Sequence, residues 1–360
     1  MASPRPTRGQ ICGSESHASP STPEVSLLGS LGNSPSAPGR EIIPPLLDEF
    51  WLAGPNGKHR CIVTAPAQMS LFDAKEASIF GLFQPKVAQS IIAQLIRNIL
   101  VQFPRSVDRF STPELYERFG EPEPEAVVRL DGKPLSDGVP AHVYLPGWFG
   151  VRSDEIAFGE EKIILSDFGE SFNPHETPRF SSKTHSLLQP PEARFSDEPL
   201  SFASDIWTLA CTIWEIVGQR PLFHAFRPTA DRVTAEQVEV IGILPPEWWG
   251  KWDRRLEWFN EEGELDVDPE TSRGPDGVRR TWDQRFGYCI QEPRAEAGLE
   301  TVTEEKRRAL EEMLRSMLVF RPKERATAQQ VLHSEWMKEW GQPALEESWN
   351  ASTSSVMEGD

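Results

Sequence analysis

The sequence predicts an α+β chain in which helices dominate the second half and the strands are few and short. Two observations carry this. Apolar residues recur at helical spacing in three stretches, after Pro85, Ser201 and Thr301. Short apolar runs with β-branched residues stand at Arg60-Cys-Ile-Val-Thr64 and at Lys162-Ile-Ile-Leu-Ser166. No internal repeat interrupts this order.

The 360 residues are 38% hydrophobic and include 12 Trp and 19 Phe, enough to build a sizeable core. No run approaches the ~18 apolar residues of a membrane span. No apolar segment of signal-peptide type follows the N-terminus. The expected location is therefore the cytoplasm or the nucleus, without secretion and without a membrane. Cys12, Cys61, Cys211 and Cys289 stand far apart with no Cys-x-x-Cys pair, which argues against a zinc site or a disulfide framework. The 37 Lys and Arg against 55 Asp and Glu give a net charge of −18. Such a chain repels nucleic acid and anionic lipid and attracts basic partners, although acidic residues also simply keep a protein soluble.

Residues 1–40 are rich in Ser, Pro and Gly and read as a disordered tail. The folded domain is expected over 41–341, opening at Glu41-Ile-Ile-Pro-Pro. Gly54-Pro-Asn-Gly57 is a turn before the strand at 60–64. From Pro85, the residues Val87, Ile91, Ile92, Leu95 and Ile99 recur at helical spacing. This helix either continues to about Phe103 or breaks near Arg97 into a strand, and the pattern leaves both open. Residues 104–158 are polar, rich in Pro, Gly and Glu, and read as an insertion. The strand at 162–166 is followed at once by Asp167-Phe168-Gly169.

Ser201 caps a helix that runs through Val217. Ile206, Leu209, Ala210, Ile213, Ile216 and Val217 form its stripe, widened by Trp207 and Trp214, so the helix is expected to be buried. Asp205 lies inside it and needs a hydrogen-bonding partner. Thr301-x-x-Glu304 reads as a capping box for a helix with Leu310, Met313, Leu314, Met317 and Leu318 on one face. A short helix is expected at Ala328–Leu332. Residues 342–360 are polar and read as a frayed, disordered tail.

Asp167-Phe-Gly169 alone is a weak signal. Gln189-Pro-Pro-Glu192-Ala193 then follows, with Glu192 25 residues after Asp167. Ser204-Asp205-Ile-Trp207, Gly218-x-Arg220-Pro221-Leu-Phe223 and Arg321-Pro-x-x-Arg325 through Trp336 complete an ordered set. In order and spacing this set resembles the C-terminal lobe of a eukaryotic protein kinase. Ile243-Leu-Pro-Pro-Glu-Trp248-Trp249-x-x-Trp252, the acidic stretch from Glu261, and Gly57-Lys-His-Arg-Cys-Ile-Val63 are similar to the SR-protein-kinase-like serine/threonine kinases of filamentous fungi. The resemblance spans roughly Pro38 to Trp340. It implies a protein-kinase-like α+β fold, mainly the helical C-lobe. In these relatives an insertion stands between the catalytic loop and Asp-Phe-Gly, where residues 104–158 lie.

The chemistry implied is phosphoryl transfer from ATP with Mg2+ to protein Ser or Thr, achieved mostly by positioning and charge neutralisation. By the resemblance, Asp167 is the main magnesium ligand and Asn98, in Arg97-Asn-Ile-Leu-Val, is the catalytic-loop asparagine that shares the metal. Ala65 and Ala67, in Thr64-Ala-Pro-Ala67, align with the hinge whose backbone holds adenine. Glu192 and Arg325 form a structural ion pair, and Asp205 ties down the catalytic loop. The implied substrate or partner is a basic Arg/Ser-rich protein. Read without the family, Asp167 is a turn aspartate after a strand and Asn98 a polar residue on a helix.

The sequence departs from the family in two places. It holds no Gly-x-Gly-x-x-Gly and no Val-Ala-x-Lys, and Lys58 and Lys75 stand in other contexts. The first strands and the regulatory helix, with their lysine and glutamate, are expected to be absent, leaving an incomplete N-lobe. Ala93-Gln-Leu-Ile96 runs directly into Arg97-Asn98, and the five positions before Asn98 hold no aspartate and no histidine. The catalytic-loop aspartate is therefore missing. A kinase-family chain impaired in transfer is the expectation. The alternatives are a non-catalytic pseudokinase binding module or the product of a truncated gene.

Overall fold

A computed structural model describes residues 11–14, 23–32, 40–54, 57–95, 99–103, 107, 109–135, 139–145, 147–224, 228–264 and 281–357. In chain order the elements are β1 (Ile11–Ser14), α1 (Pro23–Gly32), β2 (Leu46–Gly54), β3 (Gly57–Thr64), β4 (Ala67–Ser70), α2 (Leu71–Ala77), α3 (Pro85–Gln94), β5 (Ile99–Gln102), α4 (Thr112–Phe119), β6 (Pro124–Ala126), β7 (His142–Tyr144) and β8 (Ile163–Leu165). Among the described residues only helices follow: α5 (Glu192–Phe195), α6 (Phe202–Val217), α7 (Ala230–Ile241), α8 (Pro246–Trp249), α9 (Trp282–Phe286), α10 (Glu292–Glu296), α11 (Glu304–Met317), α12 (Ala328–Leu332) and α13 (Gln342–Met357). The chain forms two compact units.

The first unit takes Met1–Ala74, Asn98–Arg152 and Glu160–Ser171. Its strands lie in three antiparallel sheets, ordered β1-β3-β2, β4-β5-β8 and β6-β7. Strand β3 is central in the first sheet, pairing Ile11↔Thr64 on one side and Gly54↔Gly57 on the other. It buries Cys61 and Val63 in alternation, as a half-buried strand does. Strand β8 is buried at all three residues, the mark of an apolar run covered on both faces.

Helix α1 and strand β1 stand inside the segment read from composition as a tail. Val25 and Leu28 of α1 are buried, which anchors a helix that its glycines and serines disguise in the sequence. Within residues 104–158, α4 buries no side chain and every residue of β6 and β7 is exposed, whereas Ser153 and Ile156 are buried and belong to the second unit.

The second unit takes Lys75–Arg97, Ser153–Gly159 and Phe172–Asp360. Helix α6 is its core, with Trp207, Ala210 and Trp214 fully buried. Ser201 caps it, accepting from Ala203 N–H while Ser204 Oγ accepts from Ser201 N–H. Trp207 stacks between Phe223 and Phe320. Helix α11 buries Leu310, Met313, Leu314 and Met317, followed by Leu318. Its cap is Thr303, which accepts from Lys306 N–H at 3.4 Å; the Thr301-x-x-Glu304 match does not start the helix.

Of the two readings open after Pro85, the break is observed. Helix α3 ends at Gln94, Leu95 is extended, and β5 follows. The C-terminal expectation is corrected. Residues 342–357 form α13, which continues from a π-turn at Met337–Gly341 and packs on α3. Ala344 and Ser348 are buried, and Lys86 pairs with Glu347 at 2.5 Å. Small residues, not a large apolar stripe, make this contact, so hydropathy alone points to a tail.

Candidate functional site

The apolar strand β8 delivers the chain to Asp167-Phe168-Gly169. Asp167 has φ 58° and is the one non-glycine residue with positive φ among the described residues. A short polar side chain tolerates this left-handed conformation better than most, at a cost of about 1 kcal/mol. The Asp167 side chain is exposed while Phe168 is buried. The turn is held by its backbone: Phe168 N–H donates to Glu24 Oε1 at 3.2 Å, and Ser171 N–H donates to Phe168 O at 3.0 Å. The result is an outward carboxylate on an anchored loop.

Strand β5 pairs antiparallel with β8, Ile99 facing Leu165. Gln102 reinforces the pair, donating from its backbone to Lys162 O and from Nε2 to Ile163 O. Asn98 immediately precedes β5 in the chain and lies outside the described residues. Ala65 and Ala67 stand where β3 passes into β4; both are half-buried, and Ala67 faces Gln102 in the register.

Glu24 of α1, which accepts from Phe168 N–H, was not singled out in the sequence. Strand β1, which precedes α1, reads Ile-Cys-Gly-Ser. Lys58 is the single lysine before Thr64 in the sequence, and its Nζ lies 4.8 Å over the Trp51 ring. Lys75 belongs to the second unit. Its Nζ donates to Glu215 O in a close contact and to Gly218 O at 2.8 Å, at the C-terminal end of α6. Arg294 joins it there, donating to Val217 O at 2.9 Å. Cations at a helix C-terminus satisfy its open carbonyls, so Lys75 has a structural occupation. Burial lowers its pKa to about 8, against the opposing pull of Glu215 and Glu76 and with a small contribution from Arg294.

The connection from α3 to β5 consists of Leu95-Ile96-Arg97-Asn98. It contains no carboxylate, so no proton acceptor can come from it.

In the second unit Glu192 and Arg325 meet in a fully desolvated ion pair. Arg325 Nη1 donates to Glu192 Oε1 at 2.7 Å and Nη2 to Oε2 at 2.6 Å. Ser204 Oγ donates to Glu192 at 2.9 Å. The guanidinium also donates to Val319 O, Ala203 O and Phe320 O, and lies 5.0 Å from the Trp207 ring centre. All of its donors and both carboxylate oxygens are used, the condition under which a buried pair is tolerated. Asp205, expected to be buried, is half-buried in the first turn of α6.

Residues 154–337, just over half of the chain, match the protein kinase domain. This chain belongs to the protein kinase family. It is also similar to two serine/threonine protein kinases of Aspergillus fumigatus, from strains CEA10 and Af293. Each is 23% identical over 336 residues, covering 87% of this chain and 74% of the relative. The family uses ATP and Mg2+. Magnesium in such sites needs only one or two protein carboxylates, the phosphates supplying the rest. The exposed Asp167 fits that part. No group of three metal-ligating side chains occurs among the described residues, and none is required. Among the described residues no helix is long and apolar enough to cross a membrane.

Proposed function

We propose that this chain is a serine/threonine-kinase-type, SR-protein-kinase-like member of the family whose phosphoryl transfer is impaired. The observation that carries this is the four-residue α3–β5 connection without an aspartate. A positioned general base contributes roughly 10²- to 10⁴-fold, or about 3–5 kcal/mol of barrier at 1.36 kcal/mol per tenfold. Loss of the lysine grip adds to this.

What remains suits binding. Asp167 would hold the magnesium that neutralises the phosphates, and Asn98 would share it. Glu24 fixes the backbone beneath Asp167, and the main chain at Ala65 and Ala67 would hold adenine. The complete Glu192–Arg325 scaffold in the helical unit favours a second reading, a non-catalytic pseudokinase module. The net charge of −18 supports a basic Arg/Ser-rich partner rather than nucleic acid. The expected compartment is the cytoplasm or nucleus.

The test is incubation of the full chain with labelled ATP, Mg2+ and an Arg-Ser repeat peptide. Incorporation no greater than that of Asp167→Ala is expected. Transfer that Asp167→Ala abolishes would overturn the impairment. In parallel, Mg-ADP should raise the melting temperature of the unmodified chain and leave Asp167→Ala unmoved. No shift in either protein would remove nucleotide binding from the proposal.

A further inference from the structure

A cavity inside the second unit takes no part in the site described above. Helix α3, the C-terminal end of α6, α10 and the first turns of α11 enclose it. Ala88, Ile92, Val217, Leu310 and Trp336 are buried and make its walls apolar. Counted to its open mouth, the space is about 380 Å³, at the small end of ligand cavities.

Two cations stand in these apolar walls. Arg294 is only 2% exposed. Its Nε and Nη2 both donate to Val217 O, at 3.2 and 2.9 Å, and Nη1 makes no hydrogen bond among the described residues. Lys306 is half-buried, and its ammonium has no hydrogen bond or ion pair among them either. Burial lowers the pKa of each, that of Arg294 to about 10, and Glu300 opposes the shift in both. Repulsion by Arg294 lowers Lys306 further, so the two charges share one neighbourhood.

The helix itself gains nothing from the charge of Lys306. A cation in the first turn of α11 opposes the helix dipole, which Glu304 and Glu305 suit. The loop carrying Glu300 is fixed in place. Gln291 Nε2 donates to Val302 O at 2.7 Å, Val302 N–H donates to Gln291 Oε1 at 2.9 Å, and Leu299 N–H donates to Arg294 O at 2.8 Å. The cationic wall is therefore arranged before any ligand arrives, which lowers the cost of binding.

The charges select the ligand. Arg294 and Lys306 are positive and Glu300 is negative, which leaves a single positive charge at the cavity. A monoanion balances it, whereas a phosphate dianion would exceed it. The apolar walls favour a hydrocarbon body and penalise a fully hydrated ion.

We propose that this cavity binds a small monocarboxylate with a compact apolar body, its carboxylate set against Arg294 Nη1 and Lys306 Nζ and its body against Ile92, Val217 and Leu310. Hydrogen bonds between ionised partners are the strong ones. This binding stands whether or not the chain transfers phosphate.

The probe is phenylacetate, titrated into the full chain by calorimetry. Saturable binding below about 10 mM is expected, and its absence overturns the proposal. Phenylacetamide keeps the shape without the charge and should bind at least about tenfold more weakly. Acetate and inorganic phosphate lack the ring and should also bind at least about tenfold more weakly; equal binding of either would make this a general anion site and overturn the proposal. Lys306→Met should weaken phenylacetate by at least about tenfold, while Lys306→Arg keeps it within about threefold. Lys323→Met, at an exposed lysine of the same unit, should change it less than about twofold. Equal losses in the two methionine variants would reduce the effect to diffuse charge and overturn the proposal. Urea unfolding checks that each variant is folded. Mg-ADP should leave phenylacetate bound; displacement by the nucleotide would put the acid elsewhere, and the proposal fails.

Discussion

Arg325 and Glu192 are joined by two parallel N–H···O contacts, with the guanidinium 0% and the carboxylate 3% exposed. The residues are 133 positions apart, and their bond ties α5 and α6 to the turn before α12. Removing one partner of such a pair strands the other in a dry interior.

Arg325→Ala leaves Glu192 with Ser204 as its remaining side-chain donor and is expected to lower stability by about 3–5 kcal/mol. Glu192→Gln leaves the guanidinium bonded to three carbonyls and should cost less, about 1–3 kcal/mol. Urea unfolding measures both. If the glutamine variant proved the weaker of the two, the assignment of Arg325 as the better-satisfied partner would be wrong.

Asp167 carries backbone strain because of its left-handed φ. Glycine has no such penalty, so Asp167→Gly should gain up to about 1 kcal/mol over Asp167→Ala. Both variants should lose any stabilisation by Mg-ADP. Thermal melts with and without the nucleotide separate the two effects. Equal stability of the glycine and alanine variants would show that the φ carries no strain.

Lys75 gives a pH signature. Its folded pKa is about 8 against an ordinary 10.5, through burial first, partly opposed by Glu215 and Glu76. Between these values the unfolded chain binds more protons than the folded one. The contribution of Lys75 to stability therefore rises with pH from about 8 to 10.5 and is flat below about 8, where it is protonated in both states. Lys75→Met should flatten the rise seen in urea unfolding across that interval. Parallel curves for the two proteins would mean that Lys75 does not titrate in a buried setting.

Strong periodicity made much of the helical unit legible. The stripe after Ser201 is α6, and the short helix expected around Ala328–Leu332 is α12. The runs at 60–64 and 162–166 are the cores of β3 and β8 because buried strands declare themselves by β-branched content. The first turn of α11 misled because two threonines compete: Thr301 has the glutamate partner three residues on, but Thr303 makes the bond. Helix α1 was hidden by Gly29, Gly32 and its serines, and only Val25 and Leu28, once buried, reveal why it forms. For the same reason Asp167 was visible, as part of a motif, whereas Glu24 was not. Its role lies in a bond to the main chain 144 positions away, and no local pattern encodes that.

The placement of α13 has a practical side. The stretch matching the protein kinase domain ends at residue 337 and begins at 154. Yet α13 lies against α3, and Ser352 Oγ reaches back to Gly159 O at 2.7 Å. Expression boundaries drawn at the matched stretch would remove both helices at once, laying bare the residues of α6 that α3 covers. Any recombinant chain meant to keep the helical unit intact must therefore retain both α3 and α13.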